Sequence, residues 1–365
     1  RRGEKKLINP VCKIINDHSL KKLFVIAGIS VLVSLLTWII SACNKEQNTK
    51  QLALMQQEIP NGFPAPLYTF QDNPLSREGF ELGRKLFYDG RLSIDNEHPC
   101  SSCHQQIAGF GTFEHDRSHG VNNTHTLRNA PVLFNLAWSS SLHWDGAFSS
   151  LVDEAAQPIH GSHEMGETYA GIINKINDDK EYRELFRQVF RSTFIRPEYI
   201  LKALQQFTGS LISANSKYDK YKRGEYIFTP QENAGYIIYQ AKCSSCHPEP
   251  LFTDYSFRNI GLPVDPFLND FGRMMITGNT SDSLKFKVPT LRNSNVSSNY
   301  MHDGRFGTLG QVINHYRTGV QPSATLDPSL AGGISMTNTD ANNLFQFLKA
   351  LTDSSFLTDS RYKKP

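Results

Sequence analysis

Two pentapeptides in this 365-residue chain are identical: Cys100-Ser101-Ser102-Cys103-His104 and Cys243-Ser244-Ser245-Cys246-His247. Cys-x-x-Cys-His is the attachment sequence of c-type haem: both thiols bond to the porphyrin, and the histidine that follows is placed to ligate the iron. One copy could equally be half of a zinc site. Two copies, alike even at the variable positions, point to two covalently bound c-type haems, held by Cys100, Cys103, His104 and by Cys243, Cys246, His247.

The remaining cysteines close the count. Of six, only Cys12 and Cys43 lie outside the two motifs, so none is left for a disulfide or a catalytic thiol within the body of the chain. The formal charge of +3 comes from the first 42 residues, which hold seven Lys/Arg and two Asp/Glu. The remainder is near neutral, without the basic stripe that nucleic-acid binding needs. Residues 1–42 read as a leader: Lys21 and Lys22 precede an uncharged apolar run, Leu23 to Ala42, ending Ile40-Ser41-Ala42-Cys43. That ending resembles a bacterial lipobox and predicts a lipid anchor at Cys43. A simple membrane-spanning anchor is the competing reading, since about 20 apolar residues can cross a bilayer. Either reading places the domain outside the cytoplasm, in the periplasm for a membrane-anchored lipoprotein.

The elements that must position the motifs are mainly helical. Ser76 to Tyr88 has helical spacing, with Leu82, Leu86 and Phe87 on one face, and Pro230 to Lys242 leads into the second motif in the same way. Glu181 to Phe190 and Glu198 to Tyr221 also read as helix, and few stretches alternate as strands. Leu52 to Pro66 reads as flexible. Thr126-Leu127-Arg128-Asn129 recurs as Thr290-Leu291-Arg292-Asn293, and Trp144-Asp145-Gly146-Ala147-Phe148 as His302-Asp303-Gly304-Arg305-Phe306. The expected fold is mainly α with long loops and little strand: two cytochrome c-like haem domains related by internal duplication. Their expected spans are 76–225 and 226–365, after a 1–42 leader and a 43–75 linker and extension.

The two halves differ where chemistry would differ. Seven residues after Leu309 stands Tyr316, a phenol able to ligate iron; seven after Leu151 stands Pro158, which cannot. The first haem is therefore expected open to a substrate and the second closed by His247 and Tyr316. Glu154 and Glu164 follow the first motif. A carboxylate over an open haem can move a proton between the two oxygens of bound peroxide, which is general acid–base catalysis of O–O cleavage.

Together these residues resemble the bacterial di-haem cytochrome c peroxidases and MauG-type enzymes. The resemblance runs from about Ser76 to Gly319. It rests on Leu82-Gly83-Arg84-Lys85-Leu86-Phe87-Tyr88-Asp89, both haem motifs, Arg128-Asn129-Ala130-Pro131, Trp144-Asp145-Gly146, Glu164-Met165-Gly166, Val288-Pro289-Thr290-Leu291-Arg292-Asn293 and Tyr300-Met301-His302-Asp303-Gly304. It implies that His104 carries the peroxide-reacting haem and His247 the electron-transfer haem. Glu164 would be the catalytic distal carboxylate and Trp144 the electron relay between the haems. One calcium ion would be held by Asn129, Ser297 and Asn299. Glu154 stands where the family usually has Gln. Tyr316 agrees with MauG-type enzymes, whereas the peroxidases use Met. A loop histidine caps the first haem in the peroxidases, and His115, His119 and His125 occupy the corresponding loop.

The leading expectation is a di-haem peroxidase, often dimeric in this family, that reduces hydrogen peroxide with electrons from a small cytochrome or similar donor. The alternatives are a MauG-type enzyme oxidising a residue of a partner protein, and a non-catalytic di-haem electron carrier.

Overall fold

Helices form where the apolar spacing and the capping residues agree. In the computed structural model, which describes residue 22, residues 28–34 and residues 51–365, the first long helix is α1 (Arg77–Phe87). Ser76 caps it by accepting from the Gly79 N–H at 3.0 Å, and it buries Leu82, Leu86 and Phe87. The one-turn helix α2 (Cys100–Cys103) carries the first haem motif. Then come α3 (Leu151–His160), α4 (Tyr169–Asn177), α5 (Lys180–Phe190) and α6 (Pro197–Thr208). The second half begins with α7 (Lys217–Lys222) and α8 (Pro230–Lys242), each opened by a reciprocal capping box, Ser216/Asp219 and Thr229/Glu232. The short helices α9 (Met274–Thr277) and α10 (Leu309–Asn314) follow, then α11 (Asn338–Ala350) and α12 (Ser354–Thr358). The strands are β1 (Phe257–Arg258) and β2 (Phe286–Lys287), an antiparallel pair with Phe257 opposite Lys287. The architecture is mainly helical with little strand.

In each half the helix that precedes the haem motif crosses a later helix through a glycine. A β-carbon at Gly83 of α1 would run into the Ala203 carbonyl of α6. One at Gly235 of α8 would run into the Asn343 carbonyl of α11. Hydrogen in place of a side chain is what lets each pair of backbones touch.

Leu52–Pro365 is one compact unit with two main apolar cores. The first runs from Phe80 to Leu211 and the second from Tyr218 to Leu351. Phe356 and Tyr362, from the far end of the 226–365 segment, belong to the first core. Hydrogen bonds hold that tail in place: Tyr88 Oη donates to the Tyr362 carbonyl (2.7 Å), and Gln106 Nε2 to those of Phe356 (3.1 Å) and Asp359 (2.9 Å).

Three expectations need correction. The stretch from Leu52 to Pro66 is pinned rather than loose: Met55 N–H donates to the Leu75 carbonyl (3.0 Å) and Trp138 Nε1 to that of Pro64 (2.7 Å). The helix expected over Glu198 to Tyr221 breaks between α6 and α7. There the Asn135 side chain replaces helical hydrogen bonds by pairing with the N–H and the carbonyl of Ser213, both at 3.0 Å. Finally, the likeness of the two Thr-Leu-Arg-Asn stretches is not a likeness of structure. Asn293 matches Asn135, not Asn129. Asn135 and Asn293 are both left-handed (φ +57° and +56°), both precede a 3₁₀ turn, and both reach the buried Ser213. The same 158-residue spacing relates Trp144 to His302, and each sits in a short hairpin turned by a left-handed glycine, Gly146 or Gly304. The likeness of Arg128-Asn129 to Arg292-Asn293 is out of step with that spacing. Arg128 pairs with Asp145 and Asp270, whereas Arg292 pairs with Asp219.

Cys12 and Cys43, with the leader and the anchor expected there, lie outside the described residues. No helix among the described residues is long and apolar enough to cross a membrane.

Candidate active site: two haem-attachment motifs and the residues around them

The two motif histidines are held alike. His104 Nδ1 lies 2.9 Å from the Phe110 carbonyl and His247 Nδ1 lies 3.0 Å from that of Phe252. A carbonyl partner puts the proton on Nδ1 and leaves the Nε2 lone pair for a metal. Burial lowers both pKa values, which favours the neutral, ligating form; the carbonyls partly offset this. The four motif cysteines are free of disulfides.

Beside His247 opens a cavity of about 630 Å³, within the range of about 300–1,000 Å³ usual for cofactor sites. Val288, Leu291, Leu309, Ile313, Leu344 and Leu348 give it apolar walls, and Cys243, Cys246 and Tyr316 also line it. Thiols, imidazole and an apolar slot together fit a covalent haem. Tyr316 enters from a π-helical turn, His315–Gly319, that continues α10. Such turns re-aim one side chain out of the α-helical spiral. His315 holds the turn through its Nε2, 2.9 Å from the Ile260 carbonyl. Burial raises the Tyr316 pKa, so its phenolate needs a cation beside it, which a ferric iron would supply.

The surroundings of the first motif carry carboxylates instead. Pro158 lies inside α3, and the chain reverses at Gly161, where the Glu164 N–H donates to the Gly161 carbonyl (3.0 Å). The reversal brings Glu164 back onto α3, where Gln157 Nε2 donates to Glu164 Oε2 at 2.9 Å. Burial raises the Glu164 pKa above its ordinary 4.5, with the Gln157 bond pulling the other way. Its charge acts on Cys103, and that of Glu154 on Cys100 and His104, so both carboxylates lie near the first haem motif. Glu154 Oε1 lies 3.5 Å from His143 Nε2. The resemblance implies a Gln where Glu154 stands. The structure supplies the amide from Gln157, three residues on and on the same helix face.

Trp144 stands at the edge of the second cavity. Its Nε1 donates to the Asn129 carbonyl (2.8 Å), and the Asn129 N–H donates to the His302 carbonyl (2.7 Å). Trp144 and His302 both line the cavity of the second haem motif. The His302 ring stacks on Phe286 with centroids 3.7 Å apart, and burial lowers its pKa to about 4. Lys287 donates its N–H to the Trp144 carbonyl (2.7 Å) and its Nζ to the Ser141 carbonyl (2.5 Å). Burial lowers the Lys287 pKa to about 8, opposed by Glu154 and Asp145. It is half-buried, and it too lines the cavity.

Asn129, Ser297 and Asn299 line one side of this cavity together. Asn129 Nδ2 donates to the Asp116 carbonyl (2.8 Å), and Ser297 Oγ to that of Asn299 (2.7 Å). His115, His119 and His125 are exposed and pack against one another.

Sequence reasoning missed Gln157, His143, Lys287 and Ser213. Only Gln157 had a signal, its spacing from Glu154. Lys287 and Ser213 are set by contacts between segments far apart in the chain, and His143 by the turn that brings it to Glu154.

Known proteins resemble this chain in sequence and in fold. Residues 77–226 match a family model described as di-haem cytochrome c peroxidase. The chain is 32% identical over 301 residues to the methylamine utilization protein MauG of Methylophilus methylotrophus, covering 80% of this chain and 86% of that one. It is 34% identical over 244 residues to the cytochrome c551 peroxidase of Nitrosomonas europaea, covering 66% and 73%. Among solved structures, a MauG-like protein associated with microbial copper homeostasis superposes with a TM-score of 0.80 at 32% identity, over 85% of this chain and 99% of that one. By sequence and by fold, the chain belongs to the family of di-haem cytochrome c peroxidases and MauG proteins.

Proposed function

We propose that this di-haem enzyme reduces hydrogen peroxide in the pocket of His104, using electrons that enter through the pocket of His247. The carrying observation is the Gln157–Glu164 hydrogen bond beside Cys103, with Glu164 buried and its pKa raised. A carboxylate in that place can take a proton from one peroxide oxygen and return it to the other. Gln157 holds that carboxylate in one orientation. The haems supply the redox chemistry when bound. Each peroxide takes two electrons and two protons and leaves as two waters. Trp144, fixed through Asn129 to His302, spans the two sites as the electron relay. A small cytochrome or similar protein is the donor. Asn129, Ser297 and Asn299 are the proposed holders of a calcium ion, and a hard cation accepts such a set of oxygens completed by water. Attachment of c-type haem places the enzyme outside the cytoplasm, anchored through Cys43.

A second reading is favoured by Tyr316, which lines the second cavity with His247. A phenolate ligand there suits a MauG-type enzyme that draws electrons from a residue of a partner protein. Steady-state peroxide turnover with reduced cytochrome c separates the two. Brisk turnover supports peroxide reduction. Negligible turnover, with a change in haem absorption when peroxide meets the oxidised protein, supports oxidation of a partner. No reaction with peroxide would sink both.

A further inference from the structure

Turning one peroxide into two waters draws two protons from outside the site. A carboxylate such as Glu164, which takes a proton from one peroxide oxygen and returns it to the other, adds none of its own. The pair formed by His143 and Glu154 is placed to bring them. His143 Nε2 lies 3.5 Å from Glu154 Oε1. The charges of both groups act on Glu164 and on His104, so the pair stands near the first haem motif. His143 is the member that meets solvent, with 26% of its side chain exposed against 18% for Glu154, and it also lines the cavity of about 630 Å³.

The backbone fixes the imidazole in this position. His143 is left-handed (φ +63°) in the hairpin closed by Leu142 and Phe148, and its ring meets that of Phe148 edge to face, with centroids 4.9 Å apart. Lys287 pins both flanks by donating to the Ser141 and Trp144 carbonyls. The second half repeats the frame without the chemistry. The 158-residue spacing carries Ser150 onto Thr308, the caps of α3 and α10, and His143 onto Met301, which is also left-handed (φ +72°). It carries Glu154 onto Val312 and Pro158 onto Tyr316. The hairpin therefore asks for a left-handed residue but not for an imidazole. The acid–base pair occurs only in the half that lacks the phenol.

We propose that His143 and Glu154 form the route by which protons reach peroxide beside the first haem motif, an inference that rests on the peroxide-reducing reading above. His143 Nε2–H gives its proton to Glu154 Oε1, the carboxyl passes it toward Glu164 and the departing oxygen, and the imidazole takes another from solvent. Imidazole suits this because it both gives and takes a proton near neutral pH. Two such passes, with two electrons from the donor protein, complete two waters. His143 acts only through Glu154, so it positions the proton and does not meet the peroxide. The charged groups around it are Glu154 on α3, Glu164 after the reversal and His104 of the first motif, while Lys287 on β2 acts on Glu154.

The test compares H143F, E154Q and the double variant of the di-haem protein, read by peroxide turnover with reduced cytochrome c in water and in deuterium oxide. Each single substitution should lower kcat about 10²-fold, enlarge the solvent deuterium effect and leave the haem absorption unchanged. Two residues of one route are not additive, so the double variant should be no slower than the slower single. Wild-type turnover in H143F, losses that multiply in the double, or an unchanged deuterium effect overturns the proposal. If H143F loses its haem absorption, H143G replaces it and is judged by the same outcomes, because glycine accepts the left-handed backbone. An inactive wild type would overturn this route together with the peroxidase reading. An active wild type with an equally active H143F would overturn the route alone.

Discussion

At the scale of residues, a single hydrogen bond separates the proposed catalytic carboxyl from its neighbour. Gln157 binds Glu164, and Glu154 faces His143. The raised pKa of Glu164 has a kinetic sign. The carboxylate is the form that accepts the peroxide proton, so turnover falls as the pH drops through its pKa. The acid limb of peroxide turnover is therefore expected above pH 4.5, the ordinary value for this group. In E164Q that limb should vanish and the rate should fall by about 10²–10⁴; a variant retaining wild-type turnover would exclude the role. Tyr316 makes a second prediction. If it ligates the second iron, Y316F converts that haem from a low-spin to an open spectrum while the first is unchanged. An identical spectrum in the variant would rule out ligation.

At the scale of elements, the helices before the motifs were legible because their signals are local. Leu82, Leu86 and Phe87 repeat at helical spacing, and Pro230 follows a capping Thr229. The break after α6 was not legible, because its cause, the Asn135 side chain, lies 78 positions from Ser213. Tyr316 could be counted out from Leu309, but the π-helical turn that presents it could not. Gly83 is the most sensitive point among these elements. Alanine gains about 1 kcal/mol in helix propensity. Its β-carbon, however, meets a backbone carbonyl of α6 that cannot rotate away. Overpacking costs about 1–3 kcal/mol, and more against backbone. A net loss of about 2 kcal/mol is expected for G83A in denaturant unfolding, and an unchanged midpoint would show that α1 and α6 have room to separate.

At the scale of the whole molecule, buried ion pairs bind segments distant in sequence. Arg292 is fully buried and grips Asp219 with two hydrogen bonds, at 2.8 and 2.9 Å. Burial alone would raise the Asp219 pKa; Arg292 and Ser216 more than reverse it, and the net shift is downward. The sign follows directly. A lowered carboxyl pKa gives stability that is present above the unfolded value, about 3.9, and lost as pH falls through the folded one. D219N leaves the guanidinium buried without its charge partner. It should cost about 3–5 kcal/mol near neutral pH, with the deficit shrinking in acid; a constant deficit would mean that the pair is not what the substitution removes. Neither Asp219 nor its role could be read from composition, because only folding brings it to Arg292.

The tail that returns to the first core has a consequence for synthesis. A growing chain presents Cys100 and Cys103 long before Phe356 and Tyr362 exist, so the first haem motif emerges beside an unsealed apolar core. The helix α1 and the Gln106 segment must wait for residues 356–362 to close over them. The first motif therefore stays unsealed until residues 356–362 have been made and docked.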